Sequence, residues 1–358
     1  MLSRSLTAAV WTPSGRGAVA TIRVQGDLTE LSEGIADVFH AASGRSLAEM
    51  PQQRIHFGRW GRDAAEDVVV CVTNSKTCEI HCHGGDAAVS RILSDLESVG
   101  CVVTEWYWQL ETERGVSEYE HAYALSQATT LRAAAWIAVQ VGRMERAIAE
   151  LTELVASGQR EVAAARANEM LAWENFGRHL TRPWEVVLAG RPNVGKSSLI
   201  NALVGFERSI VFDEPGTTRD VVTANTVLDG WAIRLSDTAG QRGSARDLEA
   251  AGITRAREAF AMADVRLLLI DVSQPPHADD WQLLAEWPDA IVIAHKVDLS
   301  DIWGEVLPTN AIRVSSLQRT GLKELSSVIV ARLVPKLPPE EAVIPLTDRQ
   351  RCELMTYC

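Results

Sequence analysis

One stretch of the chain has the residue types that cradle a polyphosphate, and it reads Gly190, Arg191, Pro192, Asn193, Val194, Gly195, Lys196, Ser197, Ser198. A glycine, four residues and then Gly-Lys-Ser place a row of backbone N–H groups at a helix N-terminus, where they point at phosphate oxygens. The two glycines admit backbone angles and a close approach that a Cβ would block. We expect Lys196 to reach the β- and γ-phosphates and the Ser197 hydroxyl to ligate Mg²⁺. The spacing predicts a nucleoside triphosphate site.

Two further motifs follow in the order that such a site requires. Thr217 and Thr218 lie in a loop of sequence Asp-Glu-Pro-Gly-Thr-Thr-Arg-Asp. A threonine there completes the Mg²⁺ shell with its hydroxyl and senses the γ-phosphate with its backbone, and we assign the metal contact to Thr218. Asp237 then ends a strand before a small-residue turn that closes at Gly240. This arrangement predicts that Asp237 holds Mg²⁺ and that the Gly240 N–H finds the γ-phosphate.

The sequence His295-Lys296-Val297-Asp298 predicts the base that is bound. Guanine presents N1–H and an N2 amino group together, so the Asp298 carboxylate can accept from both, whereas adenine offers no such pair. Asp298 therefore disfavours an ATP-using protein. The Lys296 stem is placed to cover the base, and His295 stands where guanine-specific proteins usually have Asn. A backbone N–H at Ser315 or Ser316 would read guanine O6.

Apolar runs surround these motifs and predict the elements that position them. Val186–Ala189 forms a buried strand, and a helix opens at Leu199. A hairpin turns at Gly230, and three further strands are predicted at residues 266–272, 290–294 and 312–314. Buried parallel strands with helices between them indicate a doubly wound, mostly parallel α/β domain. We place it at residues 183–336.

The rest of the chain divides into three further segments. Strand-like runs and a helix at residues 86–99 predict a small α+β domain over residues 1–117. Residues 118–182 are rich in helix formers, with a predicted break at Gly158 between two antiparallel helices. Residues 337–358 form a tail that we expect to begin a second helical half.

Cysteines and histidines alternate at residues 78–83, which invites a zinc interpretation. In a strand, however, Cys78, Ile80 and Cys82 share one face and Glu79, His81 and His83 the other. The spacing also misses the usual paired zinc-ligand patterns. We therefore favour buried cysteines that behave as small hydrophobes.

Composition limits the classes of function. The chain has 358 residues, 46% hydrophobic and 23% charged, with a formal net charge of −12. This charge argues against a broad basic field for nucleic acid but leaves room for a local basic site. Six cysteines without an ordered spacing suggest a reducing compartment. No apolar run approaches the length of a membrane span, and the N-terminus is a weak match to a signal peptide, so we expect a cytoplasmic protein.

The motifs GRPNVGKSS, DEPGTTRD, DTAG and HKVD, in this order, resemble the G domain of a translation-factor-class GTPase. The residues Gln241-Arg242 and the run LEAAGITRA at 248–256 resemble, more narrowly, the MnmE (TrmE) family of tRNA-modification GTPases. The N-terminal TPSGRGAVATIRVQG and HCHGG are similar to the folate-binding domain of that family. The resemblance is tight over residues 186–257 and loose elsewhere.

The resemblance implies a GTPase that K⁺ stimulates and whose G domains dimerise. Asn193 matches the loop residue that ligates K⁺, and the ion takes the place of an arginine finger. Glu249 matches the catalytic acid that orients the attacking water. Without the resemblance, Glu249 is an acid in the first turn of a helix, favoured there by the helix dipole.

The resemblance also implies an FAD-dependent partner, a tRNA wobble uridine as the site of modification, and a one-carbon tetrahydrofolate bound by the N-terminal domain. Arg16 and Arg23 are placed to meet the folate, although ordinary surface and strand roles fit them equally. The family closes with a Cys-x-Gly-Lys motif tied to the modification chemistry, and Cys358 has no such residues after it. A divergent regulatory GTPase that has lost the modification step is therefore the alternative function.

Overall fold

The computed structural model describes residues 6–13, 17–61, 65–206, 223–237 and 260–358, with only the backbone at 112–114. Its contacts divide the chain into two compact units, Met1–Ala122 and Tyr123–Cys358. The domain boundaries predicted above are finer than this division and stay a prediction.

The N-terminal unit is built on a seven-stranded sheet with the order β3-β4-β5-β6-β2-β1-β7. Its strands are β1 (Thr7–Val10), β2 (Val19–Gln25), β3 (Phe39–Ala41), β4 (Ile55–Trp60), β5 (Glu66–Asn74), β6 (Thr77–His83) and β7 (Val102–Val103). Neighbouring strands run antiparallel except β1 and β7. Its helices are α1 (Leu28–Gly34), α2 (Asp86–Ser98) and α3 (Trp106–Arg114), and α4 (Val116–Ser126) crosses the boundary between the units. The α+β class predicted for this part of the chain is confirmed.

Strand β6 alternates as its sequence predicts. Cys78, Ile80 and Cys82 are buried, whereas Glu79 and His81 are half-buried and His83 is exposed. The buried set packs in one core with Ile22 of β2. Burial raises the pKa of the Cys78 thiol to about 12, so the thiol stays protonated at neutral pH.

The helical segment is more divided than the predicted pair of helices, and the prediction of one continuous helix on each side of Gly158 was wrong. Two breaks separate α4 from α5 (Leu131–Ala138) and α5 from α6 (Arg143–Ala156). The Thr130 side chain accepts from the Ala133 N–H at 3.1 Å and starts α5, and Gly142 takes a left-handed φ of 65° before α6. The predicted break at Gly158 is present, followed by α7 (Arg160–Leu171) and α8 (Glu174–His179).

The second sheet has six strands in the order β13-β12-β11-β8-β10-β9. Its strands are β8 (Trp184–Ala189), β9 (Thr223–Leu228), β10 (Trp231–Asp237), β11 (Val265–Asp271), β12 (Ile291–His295) and β13 (Ile312–Val314). All neighbours are parallel except β9 and β10, which form the hairpin around Gly230. The helices of this part of the chain are α9 (Lys196–Val204), α10 (Ala278–Glu286), α11 (Leu322–Leu333) and α12 (Asp348–Met355).

Helices cover both faces of this sheet. Val186 and Leu188 of β8 belong to a core that includes Leu199 of α9 and Leu325 of α11. Val187, the residue between them, belongs to a separate core against which residues of α10 pack. Successive strand residues point to opposite faces, so two cores on one strand mean a doubly wound sheet. The predicted fold class is confirmed.

The helical segment contributes to two cores of the second unit. Ile137 of α5 and Phe176 of α8 are buried in the core that α9 and α11 share. Leu151 of α6, Ala167 of α7 and Leu354 of α12 form another, smaller core. Within the described ranges, no helix has the length and apolar character that crossing a membrane requires.

Candidate nucleotide-binding site

The predicted site residues gather at one edge of the six-stranded sheet. The phosphate loop follows β8, Asp237 ends β10, His295 ends β12 and Ser315 follows β13. These strands are parallel, so their carboxyl ends meet at the same edge. An open α/β sheet binds its ligands in the crevice outside this edge.

The backbone of the phosphate loop takes angles that a side chain would oppose. Gly190 has a φ of 149°, and a Cβ there would lie 2.6 Å from the Leu269 carbonyl oxygen. Gly195 has a φ of 101° and stands directly before α9. Asn193 adopts a φ of 63° at an exposed position of the loop. Both glycines are therefore required by shape as well as by the approach of a ligand.

Lys196 and Ser197 open α9 inside the loop. Lys196 is 5% exposed, and its Nζ donates to the carbonyl oxygens of Gly190 and Arg191 at 3.0 and 3.1 Å. Its Nζ also lies 4.0 Å from Asp237 Oδ1. The Ser197 hydroxyl donates to Asp237 Oδ2 at 3.4 Å, and Ser198 is exposed on the next position of the helix.

Ser197 and Asp237 make a pair of hard oxygen donors next to the phosphate loop. Mg²⁺ takes such ligands, one or two from the protein and the others from phosphates and water. The described oxygen atoms therefore fit a phosphate-bound Mg²⁺.

His295 bonds to the protein through both ring nitrogens. Its Nδ1 lies 2.7 Å from the Val194 carbonyl oxygen and its Nε2 lies 2.7 Å from Ser316 Oγ. The side chain is 3% exposed, and this burial lowers the pKa of the ring. The structure thus brings His295, Val194 and Ser316 together, as the sequence predicted for residues of one site.

Lys296 makes an ion pair that the sequence did not predict. Its Nζ donates to Asp271 Oδ2 at 2.6 Å and to the Asn193 carbonyl oxygen at 3.0 Å. Burial alone would raise the pKa of Asp271, but hydrogen bonds from Lys296 and Ser273 outweigh it, and the pKa is lowered. The available signal was an acid at the carboxyl end of β11, beside β12, the strand that Lys296 directly follows.

A second missed contact involves Arg191 of the phosphate loop. Its Nη1 lies 3.5 Å from Oδ2 of Asp280, which is 5% exposed in the first turn of α10. The Asp280 carboxylate also accepts from the backbone N–H of His277 at 3.1 Å. The phosphate loop is therefore tied to α10 as well as to β12.

Asp298 is oriented by a neighbouring serine. The Ser315 hydroxyl donates to Asp298 Oδ1 and accepts from the Gln318 N–H at 3.1 Å. The Ser315 N–H donates to the Thr320 carbonyl oxygen at 3.2 Å, so Ser315 acts on this site through its hydroxyl. A carboxylate held through one oxygen keeps acceptor capacity for further donors.

Five of the predicted site residues lie outside the described part of the chain. They are Arg16, Thr217, Thr218, Gly240 and Glu249.

Arg23, the other residue predicted to meet a folate, lies in the N-terminal unit on β2. Its Nε and Nη2 donate to Glu79 Oε1 at 3.1 and 2.8 Å, and its guanidinium stacks 3.6 Å from the ring centroid of Trp11. These contacts give Arg23 a structural role in the sheet.

Comparisons with known proteins identify GTPases among the relatives of this chain. Residues 185–296 match the family model described as 50S ribosome-binding GTPase. The chain is 33% identical to the tRNA modification GTPase MnmE of Geobacillus thermodenitrificans over 339 residues, which cover 82% of this chain and 72% of the relative. It is also 33% identical to the MnmE of Synechococcus sp. over 382 residues, which cover 95% of this chain and 83% of the relative. Among solved structures, the G domain of the T. maritima FeoB iron transporter aligns with 28% identity and a TM-score of 0.32, covering 42% of this chain and 99% of that domain.

Proposed function

This chain belongs to the MnmE family of tRNA modification GTPases, and from this premise we propose that K⁺ stimulates its GTP hydrolysis, which serves the modification of tRNA wobble uridines. The protein is a GTPase that binds GTP and Mg²⁺. The GTP site in this proposal is supported by the convergence of a phosphate loop, an Mg²⁺-type oxygen pair and an oriented carboxylate at one sheet edge. The role in tRNA modification is supported by the MnmE relatives.

The roles that we propose for the phosphate loop follow from its chemistry. The backbone N–H groups from Asn193 to Ser198 hold the phosphates, and Lys196 turns its Nζ from the Gly190 and Arg191 carbonyls to the β- and γ-phosphates. Ser197, Asp237 and Thr218 would hold Mg²⁺. When bound, Mg²⁺ and K⁺ would supply positive charge against the negative charge that develops on the phosphates during hydrolysis.

The remaining roles concern the base, the ion and the water. Asp298 accepts from guanine N1–H and N2–H, with its carboxylate held by Ser315. Asn193 stands exposed on the loop, where its amide oxygen would ligate K⁺. Glu249 orients a water that attacks the γ-phosphorus, the bond to the β–γ bridging oxygen breaks, and GDP and inorganic phosphate leave.

The partners that we propose come from the family. The G domains of two copies associate during hydrolysis, and an FAD-dependent enzyme acts with the protein on tRNA in the cytoplasm. A one-carbon tetrahydrofolate would bind the N-terminal unit near Arg16 and Arg23. Because Arg23 already pairs with Glu79, any contact to the folate is made by a guanidinium held in the sheet.

Deletion of the gene tests the role in tRNA modification. Wobble uridines of total tRNA are measured by mass spectrometry in the wild type, in the deletion strain and in strains complemented with the wild-type chain or with Glu249→Ala. We expect the modified nucleosides to disappear on deletion and to return only with the wild-type chain. Unchanged nucleosides in the deletion strain would overturn the role in tRNA modification and support the regulatory alternative. Complementation by Glu249→Ala would show that the modification does not require GTP hydrolysis.

A further inference from the structure

His295 is fully engaged by protein groups on both sides of its ring. The Val194 carbonyl can only accept, so Nδ1, 2.7 Å away, carries the proton. In a neutral ring Nε2 is then an acceptor, and the Ser316 hydroxyl at 2.7 Å donates to it. Burial, which lowers the pKa of the ring, favours this neutral form. No ring N–H remains to donate to a ligand.

The contact at Nδ1 orients the phosphate loop. His295 holds the Val194 carbonyl, and the next residue, Lys296, holds the Asn193 carbonyl at 3.0 Å. In a trans peptide the C=O and the N–H point in opposite directions. With the two carbonyls drawn toward β12, the N–H groups of Val194 and Gly195 point away from it, which is the orientation that a phosphate cradle requires.

The ring also fills the space beside the loop. A Cβ on Gly195 would lie 2.4 Å from Cε1 of His295, and no side chain fits between them. At its other edge the ring bonds Ser316, next to the Ser315 that holds Asp298. The His295 side chain therefore connects the loop that holds phosphates with the segment that holds the base.

We propose that His295 is a positioning residue that joins these two loops and does not read the base. The proposal rests on the GTP site described under the proposed function. It has a consequence for specificity, because guanine N7 is a hydrogen-bond acceptor and neither nitrogen of His295 is left to donate to it. The site should then tolerate a guanine analogue that lacks N7.

Displacement of a fluorescent GDP analogue from the full chain tests this consequence, with GTP and 7-deaza-GTP as competitors. The wild type should bind the two nucleotides within about twofold of each other, since no contact is lost with N7. A tenfold weaker binding of 7-deaza-GTP would show that N7 is read and would overturn the proposal. Failure of GTP itself to displace the analogue would instead contradict the proposed nucleotide site.

Three variants test the positioning role. His295→Phe keeps a ring of similar shape but removes both hydrogen bonds, and we expect it to weaken GTP and 7-deaza-GTP equally, by about tenfold. His295→Asn supplies one donor and one acceptor and should recover much of the affinity. His40→Ala, an exposed histidine of the N-terminal unit, is the matched control and should bind as the wild type does.

Thermal unfolding of each variant, with and without GDP, separates folding from binding. A folded His295→Phe variant with wild-type affinity for GTP would refute the positioning role. So would a His295→Asn variant that binds no better than His295→Phe, because restored hydrogen bonding would then have no effect. If His295→Phe does not fold, the affinities of His295→Asn and the wild type for the two nucleotides are compared instead. An affinity of His295→Asn within about threefold of the wild type supports the positioning role. A loss of tenfold or more refutes it.

Discussion

Lys296→Met gives the sharpest test of how the phosphate loop is held. The Lys296 Nζ donates to the Asp271 carboxylate at 2.6 Å and to the Asn193 carbonyl at 3.0 Å. The methionine keeps the length of the stem but leaves both acceptors without this donor, and the Asp271 side chain is only 10% exposed. Asp271 keeps the Ser273 donors at its Oδ1, and losing the Lys296 donor at its Oδ2 costs the held conformation of the loop about 1–3 kcal/mol. GTP binds the held conformation of the loop, and about 1.4 kcal/mol is tenfold in an equilibrium constant, so we expect GTP to bind up to roughly 5- to 150-fold more weakly as that conformation is depopulated.

The assay is the titration of a fluorescent GDP analogue, with thermal unfolding measured in parallel. Arg132→Met is a matched control, because Arg132 also donates to one carboxylate and one carbonyl, at 2.7 and 2.6 Å, both on Asp229 of the β9–β10 turn. The exposed fractions of the two cations are similar, 31% for Lys296 and 34% for Arg132. Arg132→Met should lower stability without lowering affinity. A loss of less than twofold in Lys296→Met, or one no larger than that of Arg132→Met, would show that Lys296 does not hold the loop for GTP.

Three further predictions concern the same sheet edge. Asp298→Asn should switch the preferred base from guanine to xanthine, as measured by competition between GTP and xanthosine triphosphate. An unchanged order of the two affinities would contradict the role of Asp298 in binding guanine. Gly195→Ala should weaken GTP at least about tenfold, because backbone strain of about 1–3 kcal/mol adds to a clash with His295. Gly304→Ala is the control for Gly195→Ala. Gly304 also has a positive φ, 51°, but a Cβ there would meet open space, so the substitution adds strain without a clash and the affinity for GTP should not change. Burial lowers the pKa of His295 in the folded chain. Below the unfolded pKa of about 6.5 the unfolded chain therefore binds more protons than the folded chain does. The contribution of the neutral ring to stability is complete above that pH and is lost as the pH falls. The melting temperature of the wild type should then fall more steeply than that of His295→Asn between pH 7.5 and pH 5.5, as measured by circular dichroism, and parallel curves would refute this.

The sequence predicts the sheet edge well, because local patterns carry that information. Apolar runs identify the strands, and a motif directly after a strand lies at its carboxyl end. The phosphate loop, Asp237 and the residues after β12 and β13 were placed correctly in this way. The predicted helix at residues 86–99 and the break at Gly158 are also local features, and the structure contains both.

Contacts between distant residues were not predictable in the same way. Asp271 and Lys296 meet only because β11 and β12 are parallel neighbours in register, with Asp271 opposite His295. Arg23 and Glu79 are likewise neighbours on paired strands. The composition before Gly158 favours one long helix. In the structure that helix is interrupted, with Thr130 capping the start of α5 and the left-handed Gly142 preceding α6. Single capping residues here outweigh the summed helix propensity.

Single-turnover GTP hydrolysis in KCl and in NaCl, at equal ionic strength with Mg²⁺ present, tests the central claim most directly. If Asn193 ligates K⁺ beside the phosphates, hydrolysis is faster in KCl, and Asn193→Ala removes the difference while GTP remains bound. The additional charge stabilisation by K⁺ acts on the transition state, so the rate should change more than the affinity. Equal rates in the two salts, with GTP bound in both, would contradict the proposed mechanism.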